Sequence, residues 1–224
     1  MTASYAIVVS NPDLDSENRI HSDEVARSHG FRGGLVPGVV TYAHMCPAVV
    51  VALGTEWLDR GDATVRFTKP VYDGDQLEIS TELTAEGAEI RARNEAGDEC
   101  AILHAAVSPA RATPGEPSGL QLRSLQAKLS ADEANPAGLL RLANRLVTAH
   151  FDISPWIHAG SRVHHWRQLR AGETVEVLGT LASLYERGGH RLFDLELLIA
   201  EGGDAVAQVR HTVIYRLASA EGSS

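Results

Sequence analysis

The sequence contains itself twice, and that repetition narrows the folds open to it more than any other feature. Val65-Arg66-Phe67-Thr68-Lys69-Pro70-Val71 leads into Gly74-Asp75-Gln76-Leu77-Glu78-Ile79. At an offset of 98 positions, Val163 to Leu169 leads into Gly172-Glu173-Thr174-Val175-Glu176-Val177. Leu77, Ile79 and Leu83 match Val175, Val177 and Leu181, and such alternation predicts strands with one buried face. The same offset holds upstream. Pro37-Gly38 opens a helical run to Leu53, and Asn135-Pro136 opens another with Leu139, Leu142, Ala143, Leu146 and Val147 on one face. Asn at the cap and Pro in the first turn suit a helix start. Downstream, Asn94–Asp98 and Ala200–Asp204 read as hairpin turns before final strands Glu99–Val107 and Ala205–Leu217. The second copy is about eight residues longer near Glu186–His190, where Gly188-Gly189 marks a hairpin loop.

Val39, Val40, Tyr42, Ala43, Met45, Cys46, Val49, Val50 and Leu53 leave the first helix almost no polar face, which predicts a buried helix. Hiding each large apolar side chain is worth on the order of 1.5–3 kcal/mol, and only a sheet wrapped around the helix hides them all. The expected fold class is therefore α+β, a double hot-dog. Two tandem helix-wrapped antiparallel sheets pack as a pseudo-dimer, with a continuous sheet and both helices inside. Ser108 to Gly119 carries three prolines and two glycines, so residues 1–110 form the first domain, 111–119 a linker and 120–224 the second, degenerate copy.

A net charge of −9 disfavours nucleic acid and cationic membrane-surface binding, which need dense Lys and Arg. Met1–Ser10 lacks the basic start and apolar core of a signal peptide, and Ala48–Leu53 is too short to span a bilayer. A cytoplasmic protein is expected. Cys46 and Cys100 read as buried thiols. No histidine pair has helical metal-ligand spacing, so no metal is expected. Phosphate-cradling Gly-rich loops and a G-x-S-x-G elbow are missing from the sequence.

Titratable residues concentrate in Asp15-Ser16-Glu17-Asn18-Arg19-Ile20-His21-Ser22-Asp23-Glu24-Val25-Ala26, followed by Gly30-Phe31-Arg32-Gly33-Gly34-Leu35-Val36-Pro37-Gly38. This stretch resembles the D-x-N-P-[LIV]-H signature of the MaoC-like family of (R)-specific enoyl-CoA hydratases and dehydratases. Asn18, Ile20 and His21 match it. Ala26, Gly30-Phe31 and Gly38 sit where the following helix and turn would fall, and Arg66 to Asp75 resembles the family's second recurring stretch. Ser16 stands at the family's Asp position and Arg19 at its Pro. Asp15, one residue earlier, reaches His21 only if the loop from Asn11 to Asn18 absorbs the extra residue.

The resemblance implies a hydro-lyase on enoyl or 3-hydroxyacyl thioesters, in fatty-acyl, polyketide or secondary metabolism, with no cofactor. Its partner would be an acyl-CoA or acyl-carrier-protein thioester, and a homodimer or other homo-oligomer is compatible with it. His21, Asp15 and Asn18 are the catalytic candidates. An imidazole suits either proton transfer near neutrality, a carboxylate would orient it, and the Asn18 carboxamide could hold the water. Free amides at the start of the buried helix would stabilise enolate charge. Gly38 would let the thioester approach, and Val39 and Tyr42 would line its site. Arg162 and Arg167, with His164 and Arg170, form the one basic strip and are the candidates for coenzyme A phosphates. The commonest use of Asp15, Asn18 and Asp23 is as turn and cap residues. A thioesterase and a non-catalytic acyl-binding module on the same fold remain alternatives.

Overall fold

A computed structural model describes residues 3–108, 114–115 and 118–218. The first half runs β1 (Ala3–Val8), α1 (Asp23–Ser28), α2 (Gly38–Leu53), α3 (Trp57–Arg60), β2 (Gly61–Phe67), β3 (Gln76–Leu83), β4 (Ala88–Asn94) and β5 (Glu99–Val107). The second runs β6 (Leu120–Gln121), β7 (Leu125–Lys128), α4 (Pro136–His150), β8 (Ile157–His165), β9 (Thr174–Arg187), β10 (His190–Glu201) and β11 (Asp204–Arg216). Most of the expected linker, 111–119, lies outside the described residues.

All eleven strands belong to one antiparallel sheet in the order β1-β3-β4-β5-β2-β8-β11-β10-β9-β6, with β7 also on β9. The halves meet where β2 pairs β8, from Asp62 opposite His164 to Arg66 opposite Gly160. Helices α2 and α4 pack together inside the curve, and one core takes side chains from both halves. The continuous sheet with two internal helices is as expected from the repeat.

Alternation explains the strands. Leu77 and Ile79, like Val175 and Val177, are fully buried against the helices. Leu83 departs from the expected pattern. It is the last residue of β3, beside the turn into β4, and is exposed. The hairpin from β9 to β10 turns on Gly188 and Gly189, with φ of 59° and 76°, the left-handed pair a two-residue turn requires. Helix α2 also corrects the expectation of complete wrapping. Tyr42, Met45 and Val49 are buried, yet Pro47 and Val51 face solvent. The sheet ends at β1 and β6 without closing on itself, so one flank of α2 stays open. No described helix is long and apolar enough to cross a membrane.

Candidate active site

His21 ends a 3-10 turn, Arg19–His21, in the segment between β1 and α2. The ring is buried, and its Nδ1 lies 2.6 Å from the Leu35 carbonyl. A carbonyl only accepts, so Nδ1 carries the proton and Nε2 is left as the basic nitrogen. Two devices hold this arrangement. The buried Asn11 donates from Nδ2 to the carbonyls of both His21 and Leu35, at 3.1 and 3.2 Å. At Gly34, a Cβ would lie 2.1 Å from the His21 oxygen, so only glycine lets the two segments pass.

Asn18 ties this segment to the second half. Its Oδ1 accepts from the Trp156 amide at 3.0 Å and from the Ile20 amide, while Nδ2 donates to the Trp156 carbonyl at 2.9 Å. The remaining Nδ2 hydrogen faces His21 Nε2 at 3.3 Å. The Asn18 carboxamide is fully engaged. It orients the imidazole, and its Nδ2 hydrogen at Nε2 occupies the place that a water bound to that nitrogen would enter.

His21 and Asn18 lie at a cavity of about 250 Å³ between the two halves. Ile20, Phe31, Leu35, Val36 and Val71 line it from the first half, and Trp156, Ile157 and Ile214 from the second. No Asp or Glu is among the described residues that line it. Pro37, Gly38 and Thr41 bring the first turn of α2 to the same space. Pro37 places no side-chain acceptor over that turn, so its leading amides are uncapped. A Cβ on Gly38 would stand 2.8 Å from the Phe67 ring. The glycine therefore accommodates Phe67 as well as opening the helix end.

Burial depresses the His21 pKa below its ordinary value, against the opposing pull of the Leu35 carbonyl and the Asp13 charge. The ring is thus neutral at pH 7 and able to take a proton. Outside the cavity lies an open polar groove of about 1060 Å³ that holds Asp13, Glu17, Arg141 and Arg145. Asn18, His21, Asn144 and Trp156 border both spaces. His21 sits in the wall between an apolar chamber and a polar groove.

Several expected site residues fall elsewhere. Asp15 is exposed and lines neither space; Asp13 is the carboxylate whose charge His21 feels. Val39 and Tyr42 are in the core, because Gly38 and Thr41, one turn apart, share the cavity face and their neighbours turn away. Arg162 alternates with the buried Val163 and is exposed on the other face of the sheet. Arg167 is paired with Glu173 and Glu201, and His164 with Asp62. None of these side chains lines the cavity. Asp23 accepts the Gly34 amide and pairs with Arg27, a turn-closing role. In the second half, His158 lines the cavity and begins a buried row, its Nε2 2.8 Å from Ser161 Oγ, which lies 3.0 Å from His211 Nδ1.

The architecture has well-known counterparts. A Mycobacterium tuberculosis protein described as having a double hotdog fold superposes at a TM-score of 0.69, with 11% identity over 96% of this chain and 95% of that one. The fold is a double hot-dog. A MaoC-like dehydratase matches at 0.63, with 16% identity over 96% and 98% of the two chains. A 12:0-ACP thioesterase from Umbellularia californica matches at 0.58, with 10% identity over 94% and 96%. MaoC-like dehydratases and thioesterases thus share this chain's shape. No protein-family model matches the sequence, and no curated protein matches it either.

Proposed function

We propose that the protein is a hydro-lyase that adds water to, or removes it from, an acyl thioester of the enoyl/3-hydroxyacyl type. The observation that carries this reading is the pairing of a neutral, oriented imidazole with an uncapped helix start at one apolar cavity. In the hydration direction, the water takes the place of the Asn18 Nδ2–H at His21 Nε2 and passes a proton to that nitrogen as the water oxygen bonds to the β-carbon. The C=C electron pair moves towards the thioester, and the resulting oxyanion faces the amides of Gly38 and Val39. His21 then returns the proton to the α-carbon. One imidazole performs both transfers, so hydrogen and hydroxyl arrive from the same face. Dehydration is the reverse.

Nothing in this scheme needs Asp15 or any carboxylate in the cavity. The same lack argues against a hydrolytic mechanism led by Asp or Glu. The carrier is coenzyme A or an acyl carrier protein, whose arm would meet Thr68 and Lys69 where they border the cavity. A panel of enoyl- and 3-hydroxyacyl-CoA esters tests the reading. The expected result is a change in conjugated absorbance with no free thiol. Thiol release would mark a thioesterase, and neither signal would leave an acyl-binding module.

A further inference from the structure

We infer that Asn144, on α4 of the second half, grips the reacting water or the substrate 3-hydroxyl opposite His21, and so favours 3-hydroxyacyl over saturated acyl thioesters. The inference rests on the hydro-lyase reading and adds a residue to it. A hydroxyl oxygen that exchanges its proton with His21 Nε2 needs a second polar contact to fix its position. Asn18 offers at most the one Nδ2 hydrogen that the hydroxyl displaces from Nε2, since its other Nδ2 hydrogen and its Oδ1 are held by Trp156 and Ile20. Asn144 borders the cavity and the polar groove, as His21 does. Its carboxamide makes no hydrogen bond among the described residues: Oδ1 is enclosed without a donor, and Thr148 reaches only the Asn144 main-chain oxygen. Turning the amide over exchanges the enclosed atom but still leaves it without a partner. An unsatisfied polar group costs stability, and an apolar residue would suit a helix whose neighbouring positions Ala143, Leu146 and Val147 pack in the core. Nδ2, unlike the enclosed Oδ1, is accessible and has no partner among the described residues, so a ligand in the cavity can take its hydrogen.

In the proposed contact, Asn144 Nδ2–H donates to the hydroxyl or water oxygen while that oxygen's proton passes to or from His21 Nε2. No covalent bond forms at Asn144.

The test compares wild type, Asn144→Leu, Asn144→Ala and His21→Ala in three measurements. They are steady-state kinetics on a short enoyl-CoA, calorimetric affinity for 3-hydroxybutyryl-CoA against butyryl-CoA, and the thermal midpoint. For Asn144→Leu, kcat should fall about 10- to 100-fold with KM changed less than about 3-fold, and the midpoint should hold or rise. Wild type should bind the hydroxy ester about 10-fold tighter than the saturated one, and both Asn144 variants should bind the two alike. Full kcat in both Asn144 variants beside an inactive His21→Ala overturns the inference and leaves the hydro-lyase reading standing. A lower midpoint with unchanged kcat makes Asn144 structural and also overturns it. Should wild type turn over none of the esters, the hydro-lyase reading fails, and the affinity ratio alone decides. Equal wild-type affinities overturn the inference, whereas a preference that disappears in the Asn144 variants supports it.

Discussion

Helix α2 begins at Pro37 with no side chain over its first amides, whereas α4 begins beneath Asn135, whose Oδ1 accepts from the amides of Ala137 and Gly138. Around α4 the closure continues. Ser130 and Glu133 form a reciprocal capping box, Arg145 pairs with Glu133, and a Cβ on Gly138 would lie 1.9 Å from the Glu133 oxygen. Around α2 the chain makes a long excursion from Asn11 to Gly34, which carries His21 and encloses a cavity. Both helices occupy equivalent places in the same sheet. What separates a candidate site from a structural joint is whether the first-turn amides are already satisfied.

That contrast is open to direct attack, most strongly at His21. His21→Ala should lower turnover by about 10² to 10⁴, the reach of general acid–base catalysis, while the thermal midpoint drops by only a few degrees for the lost Leu35 hydrogen bond, about 1 kcal/mol. Retained specific activity in a much less stable variant would make His21 structural and remove the distinction between the halves.

Acid should separate the halves by stability. Burial holds His165 and His211 near a pKa of about 3, and His158 well below its ordinary value, all in the second half. The unfolded chain binds protons at these histidines near pH 6.5, and the folded chain does not. Stability from this source is therefore complete above pH 6.5. It declines as pH falls from there towards about 3, by about 1.4 kcal/mol per pH unit for each histidine fully titrating in the unfolded state. Hydrogen exchange at pH 5 should show protection falling in β8 and β11 before β3 and β4. Simultaneous loss across the sheet would show that the halves unfold as one unit.

A smaller effect is expected at the closed helix. Asn135→Ala removes the cap and should cost about 1 kcal/mol, a fall of about 2–4 °C in midpoint for a chain of this size, with turnover unchanged. A matching loss of activity would mean that the second helix start takes part in the chemistry. Asp15→Asn should be the quietest change, with kcat, KM and midpoint all near wild type, because the side chain is exposed and lines neither the cavity nor the groove. A loss approaching that of His21→Ala would restore the carboxylate–imidazole pair.

The repeat made the fold legible, because alternation at Leu77 and Ile79 and at Val175 and Val177 reflects burial on one sheet face. His21 and Gly38 were legible from local spacing. Asp15, Val39 and Tyr42 were misplaced for local reasons: the loop does not fold back to bring Asp15 in, and a turn of 100° per residue sends Thr41 rather than Tyr42 to the cavity. The contributions of the second half were not readable at all. Trp156 meets Asn18 across 138 positions, and Asn144 sits on what reads as an ordinary amphipathic helix. Asn11 looks like a turn residue beside Pro12, and its bond to two distant carbonyls leaves no pattern in sequence. Arg167 formed part of a basic strip in sequence only because its acidic partners, Glu173 and Glu201, arrive from the turn before β9 and from the end of β10.

The join between β2 and β8 has a consequence for the chain while it is being made. When the ribosome has released β5, the first half has its helices and all five of its strands, but the outer side of β2 has no neighbour until β8 emerges about fifty residues later. At usual synthesis rates that interval lasts on the order of seconds. Throughout it, the main-chain groups from Asp62 to Arg66 form an open template for pairing with any other strand nearby, which is the geometry that seeds aggregation. Asp62 and Arg66 put charge along that rim, a common natural deterrent to such pairing. In this protein the charges would matter most before the molecule is complete.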